Sequence, residues 1–459
     1  MDVPSSNSSF TDLPNTSNIQ EATTSKKAYG RRDKKDIEKI RLEKQRRREE
    51  QRILQQRQQQ EQEKRTENGI EPILRPMVDV VEELTDIKGE RVKIMTYNIL
   101  AQSLCRRELF PQCGDALKWK NRRPGLLKEM LYYSPDIGCF QEMDENTYID
   151  TFKPEFEKAG YDCVYVKSTK KRHGCCIIWR ISKFTKLKED SISYDQFEVP
   201  TMPTECVGLI VVLEFKSSNK ATADGIVIGT THLYWRPQSM YERSRQCLIL
   251  VDRLNDINKE FEFHAFLAGG LLPNLKCLPW FVLGLYLNNI QYVDFNSAPE
   301  DPSYALLTGS SLTQDHIDIL QNSMKPFCSN NEDSPTDSTS NTPHTELRSL
   351  STIISAFKTL PKCVSLYAQH YTSIDPANTN RSEPKFTNYG EYYKGTLDYI
   401  FYLGKSSNNN RDDIERDTSE EMQVVKLLKM PREMDILPSI PNYKFNSDHL
   451  CLIAEVSIN

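Results

Sequence analysis

From about Arg91 onward, short apolar runs alternate with stretches in which apolar residues recur every three or four positions. The runs are rich in Val, Ile, Leu, Phe and Tyr. They predict strands at Val92–Asn98, Asp136–Met143, Tyr161–Val166, Gly174–Trp179, Val207–Phe215, Gly225–His232, His264–Gly269, Leu397–Leu403, Val424–Leu428 and Leu450–Val456. Helices are predicted at Arg122–Tyr133, Asn146–Ala159, Ser239–Lys259 and Pro279–Leu287. In the third of these, Cys247, Leu248, Val251 and Leu254 fall on one face. So many strands with intervening helices imply an α/β fold of layered sheets covered by helices, not a simple alternating parallel sheet. No internal repeat occurs, and no leucine-rich repeat precedes the folded part.

The first seventy or so residues do not share this pattern. Residues 1–25 are rich in Ser, Thr and Asn and predict disorder. Arg31–Arg65 is built from helix formers, but its apolar residues are only Ile37, Ile40, Leu42, Ile53 and Leu54, which hold no heptad; a solvated, partly formed helix is expected. The chain thus divides into an arm, 1–71, and a folded domain, 72–459. Two tracts rich in Ser, Asn and Asp, near 329–350 and at 405–421, read as surface insertions.

Charge sharpens the division. Residues 26–65 hold sixteen Lys or Arg against eight Asp or Glu, a surplus of +8 that leaves −13 on the rest of a chain whose formal charge is −5. The arm reads either as a solubilising tail or as a nucleic-acid or nuclear-targeting segment. No run of eighteen apolar residues occurs and Met1–Phe10 lacks the pattern of a secretory signal, so a chain with no membrane partner, cytoplasmic and/or nuclear, is expected. Twelve cysteines occur without a C-x-x-C pair, which argues against a zinc module and for reduced core cysteines.

Polar residues stand at the ends of the apolar runs: Thr96-Tyr97-Asn98, Gln141-Glu142, Thr231-His232, Leu397-Asp398-Tyr399 and Ser447-Asp448-His449. Each is weak alone. Together they supply what phosphodiester hydrolysis requires: a carboxylate for a hard cation, donors for phosphate oxygens, and an imidazole beside a carboxylate to handle a proton. Mg²⁺ keeps several waters, so one or two protein carboxylates suffice, and Glu142 fits that part. Asn98 and His232 can orient or donate to phosphate, and Asp398 can fix the tautomer of His449.

In order and spacing these motifs, with Gly174-Cys175-Cys176-Ile177 and Thr231-His232-Leu233-Tyr234-Trp235, resemble the endonuclease/exonuclease/phosphatase family. Within it they resemble the deadenylase and nocturnin branch. Arg106-Arg107-Glu108-Leu109-Phe110-Pro111, Leu117-Lys118-Trp119 and the basic arm are similar to the fungal Ngl RNA exonucleases. The resemblance covers roughly residues 72–459. It implies a four-layer sandwich, two packed mixed β-sheets flanked by helices, with Mg²⁺-dependent 3′-to-5′ trimming of RNA, either poly(A) or a ribosomal RNA precursor. It further implies no docking to a deadenylase scaffold through leucine-rich repeats. Carried onto this chain, it makes Glu142 the metal ligand, Asn98 a phosphate or metal-water orienter, and His232 a phosphate contact. Asp398 becomes the partner of His449 and Asp448 a support of the metal site, while Tyr393, Pro237 and Trp235 face a base.

One part departs. After Phe266-Leu267-Ala268-Gly269 the family has Asp-Phe-Asn; here the sequence is Gly270-Leu271-Leu272, with the distance to Pro279-Trp280 kept. Neither Gly nor Leu can activate water or hold phosphate. Each lost transition-state group costs roughly 2.7–4 kcal/mol. Three readings stay open at this point: slow hydrolysis through Glu142 and His449, an RNA-binding protein that does not cut, or an altered gene sequence at this stretch. A phosphatase acting on a nucleotide is a further alternative.

Overall fold

Two mixed sheets carry the chain. The computed structural model describes residues 72–80, 89–216, 224–270, 298–324, 347–391, 393–405 and 421–459. The arm 1–71, Leu271, Leu272, the helix expected at 279–287 and most of both insertion tracts lie outside the described residues. The first sheet has seven strands in the spatial order Met77–Asp79, Met422–Leu428, Leu452–Ile458, Glu90–Asn98, Ile137–Asp144, His173–Arg180, Tyr161–Val166. The second has six, in the order Val364–Ser365, Asp398–Gly404, His264–Gly270, Gly225–Thr231, Val207–Phe215, Phe184–Ser193. Each sheet contains one parallel pair, Glu90–Asn98 with Ile137–Asp144 and Gly225–Thr231 with His264–Gly270, among antiparallel ones.

The period-2 alternation of side chains sorts the core of the sheets into three clusters that fix the layers, and a fourth, smaller one gathers Leu100, Phe110, Cys113 and Leu117. Val92, Ile94, Ile137 and Cys139 of the first sheet meet Leu209, Val211, Phe266, Ala268 and Ile400 of the second. On the outer face of the first sheet, Met95, Tyr97, Phe140 and Met143 pack with Leu126 and Met130 of the helix Trp119–Tyr133. On the outer face of the second, Ile210, Val212, Ala265, Leu267 and Phe401 pack with Leu250, Val251 and Leu254 of the helix Met240–Phe261. The order is helix, sheet, sheet, helix, as expected. Gln141 joins the sheets: its Nε2 donates to Thr96 Oγ1 at 3.1 Å in its own sheet and to Thr230 Oγ1 at 3.0 Å in the other.

All ten predicted strands are present, within two residues at each end. Phe184–Ser193 went unread because Lys186, Lys188, Glu189 and Asp190 hide its apolar alternation. It is an edge strand, where charge blocks further pairing. The predicted helix 146–159 is broken, Tyr148–Phe152 forming a π turn ahead of Lys153–Lys158. The helix Met240–Phe261 is buried on its polar side too. Helices Pro302–Thr308 and Leu350–Phe357 cover it, and Glu242 and Arg245 pair there at 2.6 Å. Among the described residues, no helix is long and apolar enough to cross a membrane.

One buried carboxyl predicts a pH dependence. Glu383 is buried, accepts from Tyr304 Oη at 2.9 Å, and burial pushes it up to about 7 from an ordinary 4.5. Between those values it stays protonated in the fold and ionises on unfolding, so this site weakens the fold as pH rises through the window. Glu383→Gln is therefore expected to melt above the parent at pH 8, by the equivalent of on the order of 2–3 kcal/mol, with the gap closing at pH 5. Thermal melts at the two pH values check this.

Candidate active site

The strand-end residues of the two sheets meet along one edge of the sandwich. Asn98 ends its strand opposite Gln141, and Glu142 follows at a bulge, where the pairing register shifts between Phe140 and Met143. Glu142 has a φ of +56°, in the left-handed region. A non-glycine residue held there costs about 1–3 kcal/mol, and bulges of this kind re-aim a side chain toward a site. The carboxylate is 2 % exposed. Its Oε1 accepts from Asn98 Nδ2 at 2.9 Å and its Oε2 from the backbone N of Ala101 at 3.2 Å.

His232 comes from the second sheet, bridging to Gly270 just past the strand Gly225–Thr231. Its Nε2 lies 3.8 Å from Glu142 Oε1, and Asn98 Nδ2 reaches its Nδ1 at 3.5 Å. Burial lowers this imidazole to about 4, the Glu142 charge opposing that shift, so the ring is neutral at pH 7. Asn98, Glu142 and His232 thus form one cluster across the two sheets.

A second cluster stands beside it. His449 Nδ1 is 2.7 Å from Asp398 Oδ2, with both residues buried. The same oxygen accepts from Thr387 Oγ1 at 2.7 Å, and the hydroxyl accepts from the Asp398 backbone N at 3.1 Å. Asp448 is held through Asn388 Nδ2, at 3.0 Å from its carbonyl and 3.4 Å from Oδ2. Ser447 joins the clusters by donating to the Asn98 carbonyl at 2.7 Å.

Arg122 holds both loops in place. Its guanidinium, fully buried, donates to the carbonyls of Asn446 at 2.7 Å and Leu100 at 2.6 Å, and to that of Ile99. The loop behind Asn98 and the loop ahead of Asp448 therefore hang on one side chain. Sequence reading passed over it, though a signal exists: Arg122 shares the i, i+4, i+8 face of Leu126 and Met130. Thr387 and Asn388, from the short ladder Asn388–Tyr389 with Lys394–Gly395, carry no such signal.

The three residues expected to face a base make none of the hydrogen bonds that build these clusters. Trp235 and Tyr393 are half-buried against the outer core of the second sheet, and the Pro237 carbonyl accepts from Arg243 at 3.1 Å. The guanidinium of Arg236 lies over the Trp235 ring at 5.6 Å.

Residues 95–284 match the model of the endonuclease/exonuclease/phosphatase family. The chain is 30 % identical over 438 residues to the RNA exonuclease NGL2 of Saccharomyces cerevisiae, covering 84 % of this chain and 82 % of that protein. It belongs to the endonuclease/exonuclease/phosphatase family. A probable RNA exonuclease of Schizosaccharomyces pombe is 31 % identical over 409 residues, 80 % of this chain and 76 % of that one. The crystal structure of ANGEL2, a 2′,3′-cyclic phosphatase, shares the fold at a TM-score of 0.58 and 21 % identity, covering 84 % of this chain and 99 % of that one.

Against the family pattern, position 270 is informative. Gly270 ends its strand paired with Asp398, and among the described residues a Cβ built there would meet only Asp398 Oδ1, at 3.6 Å. That oxygen is buried with no hydrogen-bond donor. The space for a side chain is kept while the side chain is gone. The oxygen chemistry fits a hard divalent cation: Glu142 supplies a buried carboxylate, and Asp398 Oδ1, without a hydrogen-bond partner among the described residues, is a further anionic acceptor. Among the described residues, no three His, Cys, Asp or Glu side chains form a ready metal cage.

Proposed function

We propose that this protein is an RNA exonuclease that trims from the 3′ end, depends on a divalent cation such as Mg²⁺, and works slowly because position 270 lacks its carboxylate. The observation that carries the reading is the convergence of the Asn98–Glu142–His232 cluster with the Asp398–His449 pair at one edge of the two sheets. The names of its relatives as RNA exonucleases support the choice of substrate. Glu142, aided by Asp448, would hold the cation, which when bound neutralises charge on the phosphate oxygens.

The remaining chemistry falls to the side chains. Asp398 accepts from His449 Nδ1 and leaves Nε2 as the basic nitrogen. A water oxygen attacks phosphorus, its proton passes to Nε2, and the P–O bond to the shortened chain's 3′ oxygen breaks, that oxygen taking up a proton. The products are a 5′-nucleotide and an RNA shorter by one. Asn98 and the neutral His232 orient the phosphate. Trp235, Pro237 and Tyr393 offer surfaces for the terminal base, worth about 1–3 kcal/mol where stacking forms.

The test removes the cation. With EDTA, release of 5′-nucleotides from a free-ended RNA should stop, and it should return on adding Mg²⁺ in excess. An RNA whose terminal 3′-phosphodiester is replaced by a phosphorothioate should resist. Release that persists in EDTA contradicts the reading. RNA that is bound but never shortened assigns the protein to the class of binders that do not cut.

A further inference from the structure

A basic loop borders the site, and half of its charge is unspent. The strands Tyr161–Val166 and His173–Arg180 are joined by a turn in which Lys167, Lys170, Lys171, Arg172 and His173 crowd into seven residues. The turn is pinned at both ends. Ser168 donates to Glu205, and the Arg172 carbonyl accepts from the backbone N of Glu145 at 2.9 Å. Two of the cations are neutralised, Lys167 by Glu145 at 3.4 Å and Lys170 by Glu205 at 2.7 Å. Lys171 instead rests its ammonium on Cys206 Sγ at 3.3 Å, and Arg172 is exposed. Neither makes an ion pair among the described residues.

Lys171 is close enough for its charge to act on His232, and Arg172 joins it to the strand that enters the site. His173 follows Arg172 directly, and its ring meets that of His232 edge-on at 6.4 Å, with Glu142 3.8 Å beyond His232. The nearby carboxylates are already engaged: Asp144 by Ser103, Glu145 and Glu205 by their lysines. On an acidic domain, two cations without ion-pair partners among the described residues, beside a phosphate-handling site, attract a polyanion.

We propose that Lys171 and Arg172 are a backbone-binding rim that contacts phosphates of a polynucleotide chain beyond the scissile one, so that the site takes single-stranded RNA in preference to a free mononucleotide. The inference rests on the function proposed above and narrows its substrate to a chain of several linked nucleotides. Such a rim tracks the backbone without reading bases.

The test measures binding by the full-length chain to a 5′-fluorescein 12-mer of adenylate in EDTA, by anisotropy, across a series of salt concentrations. Each single-strand phosphate contact contributes about 0.7 to the slope of log affinity against log salt. Lys171→Ala/Arg172→Ala is expected to lower that slope by about 1.4 and to weaken binding roughly tenfold at 0.1 M salt, while its melting curve matches the parent. Lys171→Arg/Arg172→Lys, which keeps both charges, should keep the slope. The basic arm is present in every variant and cancels. A slope in the Ala variant equal to the parent's overturns the rim. So does an equal loss of slope in the charge-keeping variant, because shape rather than charge would then be responsible. If the parent binds and shortens RNA while the slope is unmoved, the rim fails and the exonuclease reading stands. If the parent neither binds nor shortens RNA, both fall.

Discussion

Restoring Asp-Phe-Asn at positions 270–272 is expected to raise nucleotide release from RNA by roughly 100-fold or more, since one preorganised group is worth about 2.7–4 kcal/mol at the transition state. At Gly270 the backbone is already placed for the carboxylate. Gly270 pairs with Asp398 and bridges to His232, and among the described residues a Cβ there meets nothing closer than 3.6 Å. The new carboxylate would stand beside the undonated Asp398 Oδ1. The added carboxylate would put a second anionic oxygen beside that one, so the restored protein should also bind a divalent cation more tightly. Gly270→Ala, which adds the Cβ but no carboxylate, should change neither property. Single-turnover rates and calorimetric titration with Mg²⁺ measure both effects. A restored protein no faster than the parent would mean that position 270 does not limit the rate.

The second large effect is at Glu142. Glu142→Gln keeps the shape but leaves an acceptor for only one of the two donors, Asn98 Nδ2 and Ala101 N, and removes the charge a cation needs; a loss of roughly 100- to 1000-fold in rate is expected. Glu142→Gly separates function from stability. With φ at +56°, glycine relieves backbone strain that Glu bears, so this variant should lose activity as completely while gaining back part of the strain energy. Parallel assays and thermal melts distinguish the two. A Glu142→Gly protein that melts well below the parent would show that the buried carboxylate stabilises the fold more than its backbone strains it.

Strands were the most legible part of this sequence. In Val207–Phe215 nearly every position is apolar, because both faces of its sheet are covered, and such a run is visible without context. The edge strand Phe184–Ser193 was not visible, since edge protection uses the charges that mask a strand. For the site, the strand-end position of Asn98, Glu142, His232, Asp398 and His449 could be read from where the apolar runs stop. Their partners could not. Thr387 reaches Asp398 across eleven positions of chain and Arg122 reaches Asn446 across 324, through packing that no local pattern records. The left-handed backbone of Glu142 is equally silent, as Glu has no preference for it.

The measurement that tests the central claim most directly is the length, over time, of a 5′-labelled single-stranded RNA incubated with Mg²⁺ and either the parent or Glu142→Gln. The account predicts a slow ladder shortening from the 3′ end with the parent and intact RNA with Glu142→Gln. Equal shortening by both proteins would contradict it, since the cluster built around Glu142 would then not be where the bond is broken.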